Sequence, residues 1–129
     1  MLNLNYALTG LAVNGSGGIH IHTGSSCRSA TEVGAHLWHH EDGDDPWKSA
    51  KYAVSSGSKF FKYSADGELR IECGLEIAEV VNRTVVVHDP DGVKTGCGVL
   101  TNNSKRTASL TIHTISVTTL FILMTTLIS

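Results

Sequence analysis

Seven histidines punctuate the chain, and two of them, His20 and His22, stand two residues apart in Gly18-Ile19-His20-Ile21-His22. On a strand, residues at this spacing face the same side with about 7 Å between their backbones, so the pair presents two imidazoles together. Two more histidines supply candidates for a third and fourth ligand: His36, in the Gly34-Ala35-His36 turn, and His88, closing the run Thr84-Val85-Val86-Val87-His88. Imidazole suits copper and zinc, and three or four nitrogens make a copper(II) site. Taken alone, each of these residues also reads as an ordinary surface or cavity histidine.

The elements that must position them read as strands and turns. Two prolines, 13 glycines and many Val, Ile and Thr favour strands joined by tight turns, so the expected class is all-β. Met1-Leu2-Asn3-Leu4-Asn5-Tyr6 alternates like a strand that runs on to Leu11, and Asn14-Gly15-Ser16-Gly17-Gly18 is a turn cluster leading into the His-x-His segment. Between Cys27 and Trp47 the pattern is irregular, and its acidic run Glu41-Asp42-Gly43-Asp44-Asp45-Pro46 reads as a long solvated loop. Phe60-Phe61-Lys62-Tyr63 and Glu68-Leu69-Arg70-Ile71-Glu72 are expected strands flanking an Asp66-Gly67 hairpin turn. Thr84–His88 is the strongest strand signal and ends at the turn Asp89-Pro90-Asp91-Gly92.

A chain of 129 residues suits one domain. Its formal net charge of −2, with no clustered Lys and Arg, argues against a nucleic-acid partner. Three cysteines are too few for a disulfide scaffold and form no CxxC pair, so one disulfide plus one free thiol is the simplest reading. Three Asn-x-Ser/Thr acceptors, at Asn14, Asn82 and Asn102, mildly favour a secreted chain. The start alternates like a strand and not like a signal sequence, which fits either a cytosolic protein or a sequence lacking its true start. From Leu110 to Ile128 there is no Asp, Glu, Lys or Arg, and this stretch follows the small polar run Asn102-Asn103-Ser104 and the pair Lys105-Arg106. That is the pattern of a glycolipid-anchor signal; the alternatives are a Thr-rich last strand and a membrane span diluted by Thr and Ser. The expected organisation is a domain over 1–101, a polar linker over 102–109 and an apolar tail over 110–129.

The motifs, in order and spacing, resemble the copper/zinc superoxide dismutase family: the His-x-His pair, a cysteine five residues on, Gly34-Ala35-His36, Asn82-Arg83-Thr84-Val85-Val86-Val87-His88-Asp89, then Gly96-Cys97-Gly98-Val99-Leu100. The resemblance runs from about Tyr6 to Leu100, and the short loops are similar to those of copper-only superoxide dismutases and superoxide dismutase repeat domains. It implies a Greek-key, immunoglobulin-like β-sandwich or barrel. It also implies copper on His20, His22, His36 and His88, and a Cys27–Cys97 disulfide worth about 4 kcal/mol by loop-closure entropy. Cys73 is then left as a buried thiol.

The activity implied is dismutation of superoxide to oxygen and hydrogen peroxide by an extracellular or cell-surface antioxidant enzyme. His36, the bridging histidine of the family, and Lys94, at the position of the family's substrate-attracting arginine, are the catalytic candidates. Lysine keeps the charge but loses the planar fork, so weakened turnover is expected. The zinc ligands of the family have no well-spaced counterparts. His39, His40 and the acidic run lie too close to His36, which favours copper without zinc. The family's first hairpin is also absent, so an exposed sheet edge is expected, covered by a second copy or a neighbouring domain. A copper-sequestering surface domain without turnover is the main alternative, and a structural wall domain without metal is another.

Overall fold

Alternation sets the first strand: Leu2, Leu4, Tyr6 and Leu8 are buried while Asn3, Asn5 and Ala7 between them are less so. The computed structural model describes residues 1–39, 43–103, 107–111 and 122–125. Among them the strands are β1 (Leu2–Leu11), β2 (Ser16–His22), β3 (Lys51–Ala53), β4 (Ser56–Ser58), β5 (Lys62–Ile71), β6 (Thr84–His88), β7 (Lys94–Asn103), β8 (Thr107–Thr111) and β9 (Ile122–Thr125). Two single-turn helices, α1 (Ala30–Val33) and α2 (Ile77–Val80), and a 3-10 turn at Pro46–Ser49 lie in the connections. The all-β class expected from composition is the one observed.

Every strand pair is antiparallel, in the order β3-β2-β6-β7-β8-β9-β1-β5-β4. The arrangement is sandwich-like: the inner face of β1 packs with Ile19 and Ile21 of β2, Val85 and Val87 of β6, and Leu100 of β7 in one apolar core. Trp47, Tyr52 and Cys73 complete it, and Cys73 is the free, buried thiol.

Two expectations are corrected. Asp66 and Gly67 do not turn; they lie mid-strand in β5, opposite Ala7 and Tyr6. A Cβ at Gly67 would come within 2.9 Å of the Tyr6 hydroxyl oxygen and 3.1 Å of Cζ, so the glycine serves to let the ring lie flat against the neighbouring strand. The chain reverses earlier, over residues 59–61, where Phe61 N–H donates to Ser58 O and Lys62 adopts a φ of 66°. Phe60 and Phe61 are therefore turn residues, not strand residues.

The pairing also carries the sheet past residue 101. β7 continues to Asn103, β8 pairs with it, and β9 pairs with β1 from Asn5↔Thr125 to Leu8↔Ile122. Parts of the expected linker and tail thus occupy sheet positions, and both edges of β1 are paired within this chain. The remainder of the tail, with Ser104, Lys105 and Arg106, lies outside the described residues. No helix among the described residues is long and apolar enough to cross a membrane.

Candidate metal centre

Period-two alternation on β2 sends Ile19 and Ile21 into the core and His20 and His22 to the opposite face. Register then sets a row across three strands: His20 lies opposite Val86, and Val86 lies opposite Cys97. The connection after β2 folds over this row. Thr23 N–H donates to Ala35 O, Gly24 N–H to Val33 O and Leu37 N–H to Ile21 O, and His36 forms a β-bridge with His22. Cys27, in the same connection, is bonded to Cys97, which ties the cover to β7 across a sequence separation of 70 residues. A disulfide of this kind is typical of extracellular proteins.

The turn that delivers His36 depends on Gly34, which has a φ of 73° and no room for a side chain beside the Thr23 hydroxyl. Its carbonyl accepts a hydrogen bond from His22 Nδ1 at 2.9 Å. His88 Nδ1 donates to Gly92 O at 3.0 Å, within the turn predicted after β6. His36 Nδ1 donates to Asp45 Oδ2 at 2.6 Å.

These three bonds decide the tautomers. An ionised carboxylate and a backbone carbonyl can only accept, so a proton sits on Nδ1 of each ring, and in the neutral form of the ring the lone pair is on Nε2. Burial alone would push the Asp45 carboxyl up, but the bonds from His36 and the Trp47 amide outweigh it and hold the group below its ordinary range, hence ionised.

His20, His22 and His36 each bring one ligand atom to within 4.8 Å of the others, a group able to bind a metal ion. The His88 ring stands beside them, 4.9 Å from that of His20 and 6.3 Å from that of His22, but outside the tight group. Burial, followed by the neighbouring imidazoles, lowers the His20 pKa to about 3. Burial again leads at His22, where the Gly34 bond opposes it and His36, Lys94 and His88 reinforce it, giving about 4. Both rings are therefore neutral near pH 7, as metal ligation requires.

Three buried imidazole nitrogens, His20 Nδ1, His22 Nε2 and His88 Nε2, have no hydrogen-bond partner. Buried polar atoms normally find one. Buried imidazole nitrogens without a partner, on rings that neighbour one another, match the donor chemistry of a nitrogen-ligated metal, so the residues present fit such an ion.

Lys94 is exposed at the start of β7, in register with His88. His39 turns away to pair with Glu79 at 3.4 Å. His40, Glu41 and Asp42 lie outside the described residues. Asp45, set aside in the sequence with the rest of the acidic run as too close to His36 and solvated, is the carboxylate that meets the His36 ring. Its Oδ1 caps the 3-10 turn through the Trp47 amide at 2.9 Å, while the Trp47 indole N–H donates to Leu37 O at 2.7 Å. An acid immediately before Pro-Trp was the available signal, being the signature of an N-cap followed by proline in the first turn.

No protein-family model, curated protein or solved structure matches the chain.

Proposed function

We propose that the chain is a copper-dependent superoxide dismutase of secreted or cell-surface location, with His20, His22, His36 and His88 as ligands on a sandwich of the superoxide dismutase type. The observation that carries this reading is the approach of His20, His22 and His36, whose ligand atoms lie within 4.8 Å of one another, with the His88 ring 4.9 Å from that of His20. The order of motifs in the sequence supplies the choice of copper and of substrate.

The reaction takes two superoxide ions and two protons to one oxygen and one hydrogen peroxide; one superoxide is oxidised and the other reduced. A bound copper ion supplies the alternation between two oxidation states, which zinc lacks. The protein's own groups do the rest. Asp45 fixes the proton on Nδ1 of His36 and so keeps Nε2 available to the metal. In this reading the carboxylate occupies the side of His36 where the family has zinc, and the site works with copper alone. Lys94 raises the local concentration of an anionic substrate at the mouth of the site.

A copper-sequestering domain without turnover is the second reading. It is favoured by the place of His88 outside the tight histidine group and by an exposed lysine where the family has arginine. Following superoxide decay in copper-loaded full-length chain, against the same copper held by a His20→Ala/His22→Ala variant, separates the two. Decay above the variant supports dismutation. Copper bound with decay at background leaves sequestration as the function.

A further inference from the structure

Five large apolar side chains are exposed among the described residues, and four of them gather at one end of the sandwich: Val13 at 49%, Phe60 at 91%, Phe61 at 87% and Val93 at 59%. Register brings them together. Leu11 lies opposite Tyr63, which sets the turn 12–15 beside the turn 59–61. Val54 N–H donates to Gly15 O, and a Cβ on Gly15 would sit 3.2 Å from Pro90 Cγ, so the turn 89–93 abuts the same group.

The two phenylalanines form the projecting tip. Almost no part of either ring rests on this protein, so whatever receives them must surround each ring on its own, as a fluid apolar phase does without a preformed pocket. Lys59 and Lys62 flank them, both exposed, with stems long enough to follow the rings while the ammonium groups stay at the polar boundary. From Pro46 to Ala65 the chain carries Lys48, Lys51, Lys59 and Lys62 and no acidic residue. Of the carboxylates in the neighbouring turn, Asp89 is tied to the amides of Asp91 and Val93 at 3.0 and 2.8 Å, which leaves Asp91 facing solvent.

From the projecting aromatic pair and its lysine flanks we infer that this end of the molecule docks on an anionic lipid surface, with Phe60 and Phe61 inserted at the boundary between headgroups and acyl chains. An apolar wedge and a cationic collar act together on an anionic bilayer, where either alone gives only marginal binding. The inference does not depend on the metal site.

The test uses the full chain carrying Phe60→Trp, mixed with vesicles of phosphatidylcholine with and without phosphatidylserine, the latter also with brominated acyl chains. The new indole is expected to shift to shorter wavelength and to be quenched by the brominated lipid. Phe60→Ser/Phe61→Ser should weaken vesicle binding about tenfold or more, and Lys59→Glu/Lys62→Glu should abolish the preference for phosphatidylserine. An indole whose emission ignores the vesicles overturns the inference, as does a serine variant that binds as the parent does. A chain that self-associates through this tip, becoming monomeric in the serine variant with no effect on lipid, would reassign the surface to a second copy.

Discussion

Nδ1 of His36 lies 2.6 Å from Oδ2 of Asp45, and the other oxygen of the same carboxylate accepts from the Trp47 amide at 2.9 Å. One side chain therefore both caps a turn and sets the tautomer of a metal-ligand candidate. The two roles are separable. Asn caps as well as Asp but carries no charge, so Asp45→Asn should lower copper affinity about 10- to 100-fold with little change in stability. Asp45→Ala should lose the affinity and about 1 kcal/mol of stability as well. Competitive copper titration and urea unfolding of both variants check this; equal copper affinity in all three proteins would remove Asp45 from the site.

Acid should destabilise the metal-free protein. His20 and His22 titrate near 3 and 4 when folded, against about 6.5 when unfolded. Between those values the unfolded chain binds protons that the folded chain does not, so stability is greatest above about pH 6.5 and declines as the pH falls toward 4. Urea midpoints of the metal-free chain measured from pH 7 to pH 4.5 should fall steadily, and His20→Gln/His22→Gln should flatten the decline. A midpoint constant over that range would show that the rings are not buried as neutral bases.

Removing the Cys27–Cys97 bond by Cys27→Ala/Cys97→Ala should cost about 4 kcal/mol by loop-closure entropy. Because the bridge ties the connection bearing His36 to β7, metal affinity should fall with it. Denaturant unfolding and copper titration on the same variant read both effects; unchanged affinity in a folded variant would mean that the backbone bonds of Thr23, Gly24 and Leu37 hold the cover unaided.

The close approach of Gly67 to the Tyr6 ring gives a prediction about the sheet. Gly67→Ala should destabilise by about 1 kcal/mol or more through forced displacement of the ring. In a cycle with Tyr6→Leu the two costs should be clearly less than additive. Full additivity would contradict the pairing of Tyr6 with Gly67.

What the sequence disclosed, and what it did not, follows from the range of the forces involved. His20 and His22 were legible because strand alternation is a local rule, and the valines of β6 announced the strand that carries His88. Asp66-Gly67 misled because a dipeptide favourable for turns is equally acceptable mid-strand when an aromatic ring from another strand needs the space, here that of Tyr6, far away in sequence. Asp45 was set aside with the rest of the acidic run for a related reason. Its charge pattern is that of a solvated loop, and only the packing of Trp47 under that loop brings it to His36. The resemblance to the superoxide dismutase family rests on order and spacing of motifs, which suggest a ligand set but not the hydrogen bonds made by the rings of His22, His36 and His88.

The claim on which the rest depends is that the imidazole cluster takes one copper ion. Adding copper(II) to the oxidised, folded full chain and recording its electron paramagnetic resonance tests it directly. Saturation is expected at one copper per chain, with superhyperfine splitting from several equivalent imidazole nitrogens that simplifies in His22→Ala. A spectrum without nitrogen splitting, or one indistinguishable between the parent and His22→Ala, would contradict it.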